Sequence, residues 1–130
     1  MSDGQERVGH AVDVVAQGRA VVVALTGDVD MNTADDAKAA LDEAAAAAER
    51  AGADVLVVDL RQVGFLASVG VSALLMTSAA GKLRGVDVVL CLDPDQPVRR
   101  NLQVAGVLGS SLPAVASVDE ALERTPLNPA

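Results

Sequence analysis

The sequence predicts an α/β fold: a single domain whose mixed, mostly parallel sheet starts with an antiparallel hairpin and is packed with about four helices. Three observations carry that prediction. Two β-branched runs open the chain with only "QGR" between them. Two later runs, "DVLVVDL" and "VDVVLCL", are nearly continuous in apolar residues, as strands buried on both faces are. Segments with helical spacing alternate with these runs, and alternating strand and helix implies helices packed on a sheet. A chain of 130 residues accommodates one such domain with a real core. The domain is expected over 9–124, with residues 1–8 and 125–130 as loose tails.

Each element has its own signal. "AVDVVA" (Ala11–Ala16) and "AVVVALTG" (Ala20–Gly27) flank Gly18, a hairpin signal. The first helix follows, with Asn32 or Thr33 as N-cap and Asp35 and Asp36 in the first turn, where the helix dipole favours anions. Ala37, Leu41, Ala44 and Ala48 keep helical spacing, and Gly52 ends the run. The alanines at 44–48 read as helix because alanine is the strongest helix former. A strand over Asp54–Leu60, a helix over about Val69–Leu83 and a strand over Val86–Leu92 come next. Pro97 suits a first helical turn, Val98, Leu102 and Ala105 share one face, and Gly106 stops that helix. "LPAVA" and a last helix, "SVDEALER", close the domain, with Ser117 and Glu120 spaced as a capping box.

Composition excludes several functions. The net charge of −8 repels nucleic-acid backbones and anionic membranes, and Phe65 is the sole aromatic residue available for stacking. Direct nucleic-acid binding and membrane insertion are therefore not expected, and no apolar run approaches the ~20 residues of a membrane span. The first ten residues lack the apolar stretch of a signal peptide, and the one cysteine, Cys91, fits a reducing compartment, so a cytoplasmic location is expected. Cys91 itself reads as a buried small hydrophobe.

No catalytic constellation stands out. The single histidine, His10, has no cysteine near it, and the nucleophile pattern G-x-S-x-G is absent. Gly81-Lys82 resembles the end of a phosphate loop, but Leu83 replaces the hydroxyl residue and Met76 the first glycine. No G-x-G-x-x-G follows a strand. Asp28, Asp30, Asp54 and Asp59 lie at or near strand ends, where clustered carboxylates sometimes bind magnesium, but such exposed aspartates are common in acidic proteins. A non-enzyme without cofactor or metal is expected.

"FLASVGVSALL" (Phe65–Leu75) is the unusual stretch. Ser68 stands before a helix pattern, where its hydroxyl would accept a bond from amides one turn on, and where a phosphate would be favoured by the same amides. The helix that follows has no clean polar face. Val71, Leu74, Leu75 and Ser78 share one side; Val69, Met76, Ala80 and Leu83 fall on another. One side packs on the sheet, and the other needs a second internal neighbour or a partner protein. Met76 adapts well to partner surfaces. Serine is also a routine cap and methionine a gap filler, so these residues alone leave an architectural and a regulatory reading open.

"VVDLRQVGFLASVGVSALL" resembles the signature of the STAS domain of bacterial anti-sigma factor antagonists. "LTGDVDMNTA" (Leu25–Ala34) is similar to that family's Gly-Glu-Leu-Asp segment, and "PVRRNLQVAGV" (Pro97–Val107) to its late Val-Arg-Arg helix. The three stretches, in order, span most of the chain. The resemblance implies a partner switch. The unmodified antagonist binds an anti-sigma factor with serine kinase activity, which frees the sigma factor. The kinase then phosphorylates the antagonist, the pair separates, and a serine phosphatase resets the system. The phosphorylated serine falls on Ser68, the following glycine on Gly70, and the early-loop aspartate on Asp30. Met31, Asn32, Thr33, Ala67, Val69, Ser72 and Met76 become candidates for the partner-binding surface. Ala67 stands where the family carries an acidic residue, and Val69 where it carries a small hydroxyl residue. These departures also admit a second reading, a non-catalytic STAS subunit docked on an ABC-type transporter ATPase.

Overall fold

The computed structural model describes residues 8–108 and 112–124. Both expected tails lie outside the described residues except Val8, which is buried in the core. Among the described residues, five strands form one sheet in the order β1-β2-β3-β4-β5. β1 (Gly9–Val15) and β2 (Ala20–Val29) are antiparallel, and β3 (Val55–Leu66), β4 (Asp87–Cys91) and β5 (Ala114–Val115) follow parallel to β2. α1 (Ala34–Ala51), α2 (Ser68–Leu83) and α3 (Pro97–Val104) make the three crossovers, and α4 (Val118–Arg124) comes last.

Parallel crossovers keep one hand, and here the strand order always steps the same way. α1, α2 and α3 therefore share one face of the sheet, where they bury Val21, Val23, Leu56, Val58 and Leu90. The opposite face holds Val22, Val57, Val89 and Cys91, closed over by Ala121 of α4. Burial pushes the Cys91 thiol up to about 11, so it stays a thiol among aliphatic neighbours.

The hairpin turn is more unusual than Gly18 alone implied. Ala16, Gln17 and Gly18 are all left-handed, at φ 53°, 59° and 87°. At the last helix, Glu120 N–H donates to Ser117 Oγ at 3.1 Å, but the Glu120 carboxylate accepts from Ala116 N rather than from Ser117. The cap is shifted by one residue from the expected box.

β3 differs most from expectation, running to Leu66 instead of stopping at Leu60. Two bulges carry it on. Ala24 faces Asp59 but Thr26 faces Gln62; Gly27 faces Val63 but Asp28 faces Phe65. Each inserts one extra residue into β3. The buried positions Leu60, Val63 and Leu66 are accordingly three apart rather than two.

Polar side chains hold the first bulge. Asp59 accepts the Arg61 amide at 3.0 Å and the Arg61 guanidinium at 2.9 and 2.8 Å. From the N-cap position of α3, the Gln96 side-chain amide donates to Leu60 O at 2.6 Å and Val63 O at 2.8 Å. Burial alone would raise the Asp59 carboxyl, but the hydrogen bonds and charge of Arg61 outweigh it and hold the group below 3.8. Asp59 thus stabilises the fold fully above 3.8, and that contribution fades as pH falls through its lower native value. Urea titrations between pH 7 and 2 should show Asp59→Asn losing less stability on acidification than wild type. Identical acid limbs would contradict this role.

Candidate functional site

The extended β3 brings two distant segments together. Val29 pairs with Leu66, and Ala67 N–H donates to Val29 O at 2.8 Å. The loop after β2 and the start of α2 therefore lie side by side at the carboxyl ends of adjacent parallel strands.

The loop is built around Asp30. Its Oδ1 accepts the amides of Asn32 at 2.8 Å and Thr33 at 3.1 Å. Thr33 Oγ1 in turn donates to Asp28 O at 2.7 Å and accepts from Asp30 N at 2.9 Å. Thr33 occupies the cap position of α1, yet its hydroxyl makes no cap bond. It is spent on closing the loop. Thr33 is only 1% exposed, so the expectation that it offers a contact surface is corrected: it shapes the loop from within. Thr33→Val should cost about 1–2 kcal/mol, because it strands the Asp28 carbonyl and the Asp30 amide. A urea midpoint unchanged from wild type would refute that.

Ser68 is likewise not the cap it was expected to be. Ala67 holds the N-cap position in extended conformation, and Ser68 is the first residue of α2. The Ala67 carbonyl accepts the amides of Gly70 at 2.9 Å and Val71 at 3.1 Å. Ser68 is exposed, and no described residue hydrogen-bonds to its hydroxyl. Freed from capping, that hydroxyl faces solvent.

α2 resolves into two sides as its pattern suggested. Gly70, Val71, Ala73, Leu74 and Ser78 are buried. Val69, Ser72, Met76, Ala80 and Leu83 are exposed, Met76 at 65% and Leu83 at 89%. Gly70, expected on the surface, is inside: a Cβ there would stand 2.6 Å from Leu66 Cδ1 and 2.8 Å from Val29 Cγ1. Asn32 is exposed, Met31 is 86% exposed, and Asp30 and Ala67 are half-buried. The surface thus combines Met31 and Asn32 from the loop with Ser68, Val69, Ser72 and Met76 from α2.

Two residues of this region were not singled out from the sequence as site residues. Phe65 is 46% exposed beside the loop, opposite Asp28. Its being the sole aromatic, just before Ser68, was the available signal. Gln96 lay beyond any local signal, since its partners are 33 and 36 residues away.

The carboxylates named as possible ligands are dispersed. Asp59 is bound to Arg61, Asp54 lies 3.8 Å from Arg19, and Asp30 closes its loop. Among the described residues no three His, Cys, Asp or Glu side chains group as a metal site. His10 Nε2 sits 2.9 Å from Glu43 Oε1 on the surface. No helix of the described residues is long and apolar enough to cross a membrane.

The family model described as Mlab, STAS domain matches residues 12–114. The chain belongs to the STAS domain family. Its STAS fold is also seen in solved structures. An anti-sigma factor antagonist from Mycobacterium paratuberculosis is 26% identical, with TM-score 0.73, over 90% of this chain and 92% of that one. The anti-sigma factor antagonist SpoIIAA in its unphosphorylated form is 20% identical, with TM-score 0.68, over 89% and 95%. The Bacillus cell fate determinant SpoIIAA in its phosphorylated form is 19% identical, with TM-score 0.57, over 89% and 98%. No curated protein matches the chain. Within this STAS domain, the loop of Asp30 and the start of α2 meet at one end of the sheet.

Proposed function

We propose that this STAS domain is an anti-sigma factor antagonist, a non-catalytic cytoplasmic protein that works by partner switching. It binds an anti-sigma factor with serine kinase activity and so releases a sigma factor. Phosphorylation of Ser68 ends the complex, and a serine phosphatase restores it. The observation that carries this reading is the exposed, uncommitted Ser68 hydroxyl, set at the start of α2, a helix that also exposes Val69, Ser72 and Met76, where it meets the strand end leading into the loop of Met31 and Asn32. A kinase reaches such a hydroxyl without unfolding the chain, and the flanking apolar side chains supply contact area. The similarity to antagonists, one of them in phosphorylated and unphosphorylated forms, supports the same reading.

Incubation with candidate anti-sigma kinases and ATP, followed by intact-mass analysis, tests it. One added phosphate mapped to Ser68 is expected, and none with Ser68→Ala. Modification elsewhere, or none with any such kinase, would overturn the switch. Apolar Val69, 36% exposed where the family resemblance expects a hydroxyl residue, favours a second reading: permanent docking on an ABC-type transporter ATPase. Recovery of that ATPase, rather than a soluble kinase-like protein, by pull-down from lysate would select it.

A further inference from the structure

The two edges of the sheet are closed off unequally. At one edge β5 is only two residues long, and so short an edge strand offers little to pair with. At the other, β1 presents seven residues matched one-to-one with β2 and no bulge. Its outer backbone groups therefore form a regular row, with no strand beside it among the described residues. Nothing in "GHAVDVV" blunts that row: it has no proline and no lysine, and Asp13 is its one acidic residue. Val14 adds apolar surface. It pairs with fully buried Val21, yet Val14 itself, on the outermost strand, is 54% exposed.

The order of residues in the strand selects its occupant. Two copies of β1 related by a two-fold axis normal to the sheet run antiparallel and keep like faces together, so the axis has to pass through a residue. Placed at Val12, it matches all seven residues: Gly9 with Val15, His10 with Val14 and Ala11 with Asp13 of the second copy. On the face that α1 covers, the two Val12 side chains meet at the axis and each exposed Val14 gains a neighbour in His10 of the other copy. On the opposite face each Asp13 meets an alanine. An axis at Ala11 or Asp13 leaves part of the strand unmatched, and the latter also sets two carboxylates face to face.

We propose that the chain forms a homodimer by antiparallel pairing of β1 with β1 of a second copy about an axis at Val12, joining five strands from each copy into one sheet. β2 of one copy then runs opposite to β2 of the other. The two Ser68 surfaces lie at opposite ends of the joined sheet, and pairing covers neither, so the dimer does not depend on the partner switch. The net charge of −8 on each copy opposes association, but beyond about 8 Å it is screened at physiological salt.

Sedimentation equilibrium of the full chain at physiological salt, from micromolar to millimolar concentration, tests the proposal. The mass should rise from one chain to two and stop there, because pairing uses up the free edge. Val14→Lys should weaken the dimer at least tenfold with an unchanged far-ultraviolet circular dichroism spectrum, since lysine blunts an edge strand and the position is exposed. Ala11 reads out the register. Ala11→Lys sets a cation opposite Asp13 and should tighten the dimer about fivefold, while Ala11→Glu should weaken it by about the same factor, each change counting twice across the axis. Val104→Lys, an equal change of net charge at an exposed position of α3, should leave the affinity unaltered. A chain that stays monomeric throughout, assemblies that grow past two, or a dimer that answers Ala11→Lys no differently from Val104→Lys would overturn the proposal.

Discussion

Phosphorylation of Ser68 should weaken binding of the proposed anti-sigma partner about a thousandfold while leaving the fold unchanged. The phosphate adds about −1.5 to −2 charges at the start of α2, next to exposed Val69 and on the helix that also exposes Met76. α2's first turn contains no basic side chain to answer it. Burying that charge without compensation under a partner costs several kcal/mol. About 4 kcal/mol corresponds to a thousandfold in affinity. Because the Ser68 hydroxyl holds no described hydrogen bond, modification breaks nothing inside the domain, and the thermal midpoint should stay within a degree or two. Calorimetric titration of modified and unmodified chain against the partner measures the difference. Ser68→Ala should bind like the unmodified chain and resist release. Ser68→Asp, with less charge, should bind at least tenfold more weakly. A phosphorylated chain that bound as tightly as the unmodified one would eliminate charge as the releasing force.

Gly70→Val should destabilise the domain by about 1–3 kcal/mol, the usual cost of overpacking a filled core. The atoms in the way, Leu66 Cδ1 and Val29 Cγ1, belong to side chains only 3% and 1% exposed, so they have little room to yield. The strain falls where β2, β3 and α2 converge. Beyond the lost stability, the start of α2 should lift from the Asp30 loop. Chemical denaturation gives the energy, and amide exchange across Ala67–Val71 gives its location, through weakened Val71 N–H to Ala67 O bonding. Gly70→Ala should show the same pattern at smaller size. A valine variant as stable as wild type would mean the close approach is relieved by easy repacking.

Much of the architecture was legible in the order of residues. Apolar β-branched runs marked β1 to β4, alanine-rich helical spacing marked α1, Pro97 opened α3, and Gly52 ended α1 in the left-handed conformation at φ 69°. The two-sided character of α2 was legible too, because helical periodicity places Val71 and Leu74 away from Met76 whatever surrounds them. These are properties of neighbouring residues, and local sterics and hydrophobicity suffice to set them.

Tertiary structure decided the rest. The bulges of β3 depend on register against β2, on the Asp59–Arg61 pair, and on Gln96 reaching back across the sheet. They carry the strand six residues beyond its apolar run and deliver Ser68 to the Asp30 loop. Whether a motif residue faces solvent was likewise not written locally: Thr33 and Gly70 sit inside, while Met31 and Ser68 sit outside. Periodicity sorts side chains by face, but exposure depends on what distant parts of the chain bring against that face.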